Sequence, residues 1–172
     1  GLRIGEICAL KWSDINVIDG TIKVCRTIER IYIIEEEKKH TELVINTPKT
    51  KNSCREIPMS KELFAMIKPL KKVVNDNFYI LTNDEHPTEP RTYRNYYNGL
   101  MAKLNIPKLK YHGLRHSFAS VANSQNVPMF SISKALGHSS TSVTSAVYMH
   151  LFDDAVADVV SQVASAITGK EQ

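Results

Sequence analysis

No aspartate or glutamate occurs between residues 90 and 152. The same stretch carries Arg91, Arg94, Lys103, Lys108, Lys110, Arg115 and Lys134, together with His112, His116, His138 and His150. Elsewhere the charge is mixed or acidic. Acids and bases balance through residue 89, and residues 153–172 set Asp153, Asp154, Asp158 and Glu171 against Lys170 alone. A net charge of +4 therefore hides one strongly basic segment. Such a segment is a footprint for a polyanion; the plainer reading is a solvated face where basic residues cluster by chance.

Cysteine is scarce. Cys8, Cys25 and Cys54 are odd in number and show no C-x-x-C spacing. That argues for reduced thiols in a cytosolic setting, against a disulfide framework or a zinc cluster. No apolar run approaches bilayer length, and no signal-peptide pattern precedes the first helix. There are no internal repeats and no low-complexity tract. What remains is one domain of 172 residues, 42% hydrophobic, with enough apolar material for a core. The chain opens at Gly1 without Met, with a helical pattern almost at once, and reads as a fragment of a longer protein.

Residues 3–12 read as a helix, with Ile4, Ile7, Cys8 and Trp12 at helical spacing and Arg3 and Glu6 sharing a face at i,i+3. Residues 21–34, 41–47 and 54–58 read as strands. A charged loop at 35–40 and the turn "PKTKNS" separate them. Helices follow from Ser60 to about Val74, then at about 90–104, 112–124, 128–136, 140–149 and 153–168. The expected fold is mixed and mainly α, with one small antiparallel sheet of about three strands. The last helix carries a stripe of Val156, Val159, Val160, Val163 and Ile167, which suits intramolecular packing or docking on a neighbour.

"YHGLRHSFAS" holds the densest chemistry. His112 and Arg115, at i,i+3, point the same way on a helix. A guanidinium is planar, permanently charged and forked, matching phosphate or carboxylate, and an imidazole beside it can donate to an oxygen or move a proton. His112 and His116 at i,i+4 also raise a zinc reading. The Glu that a H-E-x-x-H site needs is replaced by Gly113, however, no Cys lies near in sequence, and Arg115 would repel a cation. His138 follows Gly137, a helix-stop residue, and by itself suits a helix end. Tyr148 comes ten positions later and is one of seven tyrosines.

Taken in order, "GLRIGEICALKWSDI", "TPKTKNSCREIPM", "YHGLRHSFAS" and "ALGHSS…VYMH" resemble, box by box, the catalytic domain of the tyrosine recombinase (phage integrase) family. Each box is weak alone; the ordered set spans nearly the whole chain. The resemblance implies that Arg3 is the first catalytic arginine and Glu6 the acidic residue one turn on. His112 and Arg115 match the H-x-x-R box, His138 the histidine after Leu-Gly, and Tyr148 the nucleophile. Lys49 best matches the catalytic lysine of the hairpin turn, with Lys51 the alternative. His116 matches a position that is commonly His but outside the catalytic core. Gly113 departs from the Asp found in many relatives, which bears on how the helix is capped.

The chemistry agrees with the set. Attack on a phosphodiester places negative charge on the non-bridging oxygens, where Arg3 and Arg115 can clamp; preorganised donors of this kind are worth roughly 3–4 kcal/mol each. Tyr148 must lose its proton, and His112 can accept it. A hairpin lysine can protonate the leaving 5′ oxygen. No metal, ATP or other cofactor is expected, because arginines supply the charge and a 3′-phosphotyrosyl link keeps the energy of the broken bond. The resemblance further implies double-stranded DNA as partner, a homo-oligomer (a tetramer) on DNA through residues 153–168, and a cytoplasmic, nucleoid-associated setting. It also implies a DNA-clamping domain and the start of the catalytic domain N-terminal to Gly1. Arg91, Arg94, Lys108 and Lys110 are candidate DNA contacts, or else ordinary solvated side chains.

Three other readings compete. A type IB topoisomerase would relax DNA as a monomer, without site-specific synapsis. A non-catalytic DNA-binding module would have no reason to carry both arginines, the lysine and the tyrosine together. A His/Arg phosphate-ester hydrolase fits poorly with a basic stretch suited to a polymer.

Overall fold

The computed structural model describes residues 1–34, 39–47 and 54–137. Helix α1 (Ile4–Cys8) is short and is followed by a 3-10 turn at Trp12–Asp14. Strands β1 (Ile15–Asn16), β2 (Thr21–Val24), β3 (Thr27–Ile34), β4 (Lys39–Asn46) and β5 (Arg55–Pro58) precede helices α2 (Lys61–Leu70), α3 (Pro90–Lys103), α4 (Tyr111–Ser124) and α5 (Met129–Leu136). The expected helices at 140–149 and 153–168 lie outside the described residues.

The strands form two separate units. β1, β2 and β5 make an antiparallel sheet in that order, with Ile22 opposite Ile57 and Val24 opposite Arg55. β3 and β4 make a two-stranded ribbon, with Ile28 opposite Ile45. The run expected as a single strand at 21–34 is thus broken at Cys25 and Arg26. There the guanidinium of Arg26 turns to Asp14 and donates to the Ala9 carbonyl at 3.5 Å, drawing the chain out of the first sheet.

The same register corrects the expectation of three free thiols. Cys25 and Cys54 continue the β2–β5 pairing, lie 4.4 Å apart between Cα atoms, and are joined as a disulfide. Only Cys8, buried, is free. In a reducing compartment the same cross-strand pair stands as two thiols.

The main core packs Leu10, Trp12, Ile15, Ile22 and Val24, with the Trp12 indole N–H donating to Asn83 Oδ1 at 3.1 Å. A second cluster, Cys8, Ala9 and Ile28, seats α1 on β3. A third, Ala119, Ile132 and Leu136, joins α4 to α5. Helix α2 starts where Ser60 Oγ accepts from the Leu63 N–H at 3.3 Å. It ends near Pro69, short of Val74, where the proline has no N–H to donate to the carbonyl four residues back and its ring crowds that carbonyl. Helix α5 ends at Gly137, whose φ of 66° is the left-handed conformation that favours glycine. Among the described residues no helix is long and apolar enough to cross a membrane.

Candidate active site

Arg3 is the N-cap of α1, and its side chain is 45% exposed. Its backbone N–H donates to Glu6 Oε2 at 2.8 Å and its Nη1 to Glu6 Oε1 at 3.0 Å, so the i,i+3 spacing becomes a double tie. Glu6 is buried. Arg55 closes on it from β5, Nη1 to Oε1 and Nη2 to Oε2, each at 2.9 Å. Burial pushes the Glu6 carboxyl up, but hydrogen bonds from Arg55 and Arg3 and their charges outweigh it and hold the group below its ordinary range.

Arg115 and His112 rise from α4. Arg115 is 4% exposed. It donates from Nη1 to the Gly1 carbonyl and from Nη2 to the Leu136 carbonyl, both at 2.7 Å. It therefore ties the segment before α1 to the end of α5. His112 stands at the start of α4, its ring edge-on to His116 at 4.7 Å between centroids. Burial first, then the charges of His116, Arg115 and Arg3, lower its pKa. The charges of Arg3 and Arg115 thus both act on His112, although 114 positions separate Gly1 from the Arg115 that binds its carbonyl. Tyr111, beside His112, packs edge-on against Tyr93 (5.7 Å) and Tyr97 (5.3 Å), which fixes the start of α4 on α3. Gly113 lies in the first turn of α4, which has no side-chain cap and no acid.

Arg3 and His112 open onto a cavity of about 1080 Å³ between β3, α3 and the start of α4. Arg91, Arg94, Lys108 and Lys110 line the same cavity. So do Asn95 and Asn98. Arg91, Arg94, Asn95 and Asn98 follow i, i+3, i+4, i+7 and so form one face of α3. Arg30 of β3 pairs with Glu89 at the start of α3 (2.6 Å), also along the lining. Among the described residues no group of three His, Cys, Asp or Glu is placed to hold a metal.

A model of the phage integrase family matches residues 1–154. The chain belongs to the phage integrase family. Among curated relatives, a tyrosine recombinase XerC-like protein of Caldanaerobacter subterraneus subsp. tengcongensis is 30% identical over 167 residues, covering 88% of this chain and 43% of that protein. The ICEBs1 integrase of Bacillus subtilis is 27% identical over 163 residues, covering 88% and 42%. The chain spans less than half the length of either relative. Among solved structures, the Tn1549 transposon integrase in complex with transposon right end DNA aligns with a TM-score of 0.71 at 22% identity, over 94% of this chain and 55% of that one. XerA recombinase aligns with a TM-score of 0.59 at 24% identity, over 94% and 53%. The fold is that of a tyrosine recombinase catalytic domain, mixed and mainly helical with small antiparallel sheets.

Within this phage integrase fold, Arg3, Glu6, His112, Arg115 and His116 come together from the two ends of the described chain. Lys49, its alternative Lys51, His138 and Tyr148 lie outside the described residues. Sequence reasoning missed Arg55, whose partner Glu6 is 49 positions away. It also missed Asn95 and Asn98, although their helical spacing from Arg91 was a usable signal.

Proposed function

We propose that this chain carries the DNA strand-transfer site of a site-specific recombinase, or integrase, of a mobile element. The observation that supports it is the placement of Arg3 and His112 at a cavity whose α3 wall is basic and amide-rich. Duplex DNA is the partner of this reading. Arg91, Arg94, Lys108 and Lys110 supply phosphate contacts, and Asn95 and Asn98 belong to a helix face of the kind that enters a major groove.

Tyr148 attacks the scissile phosphorus. Arg3 and Arg115 neutralise the non-bridging oxygens as negative charge builds, and His138 donates to the same phosphate. His112, kept neutral by its surroundings, takes the tyrosine proton. Lys49, or Lys51, gives a proton to the departing 5′ oxygen. The product is a 3′-phosphotyrosyl link and a free 5′ hydroxyl, which can rejoin by the reverse steps. Glu6 and His116 support Arg3 and His112 respectively.

Copies assemble on DNA, as a tetramer, through the apolar stripe of residues 153–168. The reaction implies a cytoplasmic, nucleoid-associated protein. The deciding experiment incubates the full-length protein with a nicked suicide DNA site and looks for a covalent protein–DNA species. The wild type should form it and Tyr148→Phe should not. An adduct with Tyr148→Phe would sink the assignment.

A further inference from the structure

We propose that Arg55 is a positioning residue for strand cleavage: it locks the Glu6 carboxylate, which in turn sets the Arg3 guanidinium at the cavity. This rests on the reading of Arg3 as a phosphate clamp.

Arg55 is buried and does not line the cavity, so it acts on the substrate only through another residue. Glu6 is that residue. Its Oε1 accepts from Arg55 Nη1 (2.9 Å) and Arg3 Nη1 (3.0 Å), and its Oε2 from Arg55 Nη2 (2.9 Å) and the Arg3 backbone N–H (2.8 Å). Four donors fill the four lone-pair directions of one carboxylate. Its plane is therefore fixed by the fork from β5, and Arg3, with an exposed side chain of high rotational freedom, is held against it. The remaining arm of Arg55 reaches another element: Nε donates to the Ala135 carbonyl at 2.9 Å. The guanidinium also lies against Gly137, where an added Cβ would stand 2.6 Å from Nη1. One buried side chain thus references α1, β5 and the end of α5 to each other. A buried ion pair of this type adds little net stability over apolar packing of the same volume, so its yield is orientation. Lysine cannot substitute for it, since a single ammonium does not span both oxygens.

The test uses full-length protein, the suicide DNA site and single-turnover adduct formation. Arg55→Lys should slow the adduct roughly 10- to 100-fold, the effect of a misplaced clamp, while DNA affinity in a gel-shift titration stays at the wild-type value. Arg3→Ala should be slow, and Arg3→Ala with Arg55→Lys no slower, because Arg55 has nothing left to position. A wild-type rate for Arg55→Lys, or losses that multiply in the double variant, would overturn the inference. A wild-type rate for Arg3→Ala would instead remove the phosphate-clamp reading beneath it. Should Arg55→Lys not fold by circular dichroism, the paired variant Glu6→Gln with Arg55→Gln, which leaves no buried charge unpaired, takes its place, with the same expected pattern and the same overturning results.

Discussion

The guanidinium of Arg115 donates to the carbonyl of Leu136 at 2.7 Å, so the second arginine of the site is also the clasp that holds the end of α5. The Gly1 carbonyl accepts from the same side chain. Arg115→Ala should therefore lose on two measurements. Urea unfolding should show a loss of about 3 kcal/mol or more, from two charge-assisted hydrogen bonds and the carbonyls left behind. Adduct formation should fall at least about 100-fold.

Gly5 lies where a Cβ would meet the Ile28 carbonyl oxygen and Thr27 Oγ1, each at 2.5 Å. The carbonyl belongs to a strand backbone and cannot step aside. Gly5→Ala should cost about 1–3 kcal/mol in denaturant unfolding and displace Arg3, two residues away. Gly113→Ala is the contrast. Its Cβ would meet the Leu109 side chain, Cδ1 at 2.7 Å and Cγ at 3.0 Å, and no backbone, and that side chain can rotate. In α4 that change should be neutral, or stabilising by up to about 1 kcal/mol.

The pH dependence of cleavage should carry the mark of His112. Burial, then the charges of His116, Arg115 and Arg3, depress its pKa, so the neutral, proton-accepting form persists below the ordinary histidine range. The rate should fall with acid only once pH passes that depressed value. His116→Gln removes one of the repelling charges and should move the acid limb to higher pH. A limb that stays in place would mean His116 does not act on His112 electrostatically.

Glu6 has the same sign of linkage, since folding lowers its pKa as it lowers that of His112. Its folded carboxyl titrates below its unfolded value, so it contributes stability above the unfolded pKa that is lost as pH falls through the folded one. Glu6→Gln should flatten that part of the stability profile. It should also destabilise the fold by about 3–5 kcal/mol at neutral pH, because Arg55 is left buried without its counter-charge.

The α3 face separates two kinds of contact. Arg94→Ala should weaken binding to all sequences and reduce the slope of log affinity against log salt by about 0.9. Asn98→Ala should instead relax discrimination at one A·T position by about 1–3 kcal/mol, measured with substituted sites, and leave the salt slope unchanged.

The fold and the site were legible to different depths. His112 and Arg115 share a helix, so spacing alone placed them on one face, and the same logic joined Arg3 to Glu6. Arg55 left no such trace, because its fork reaches from β5 to a partner on α1, 49 positions away. Counting cysteines hid the Cys25–Cys54 pair for the same reason, since register decides which residues stand opposite. The β-branched run at 21–34 has uniform propensity, and only the inward pull on Arg26 divides it between two sheets.

Among the described residues the β3–β4 ribbon has no third strand. Its root is held by Ile28, 1% exposed, whereas Tyr32 and Ile34 are 82% and 76% exposed. A two-stranded ribbon draws little stability from itself. Amide hydrogens along β3 should therefore exchange with deuterium in a gradient, slowest beside Ile28 and fastest toward Ile34. The arm unzips from its tip, while the end packed on α1 and bearing on Arg3 opens last.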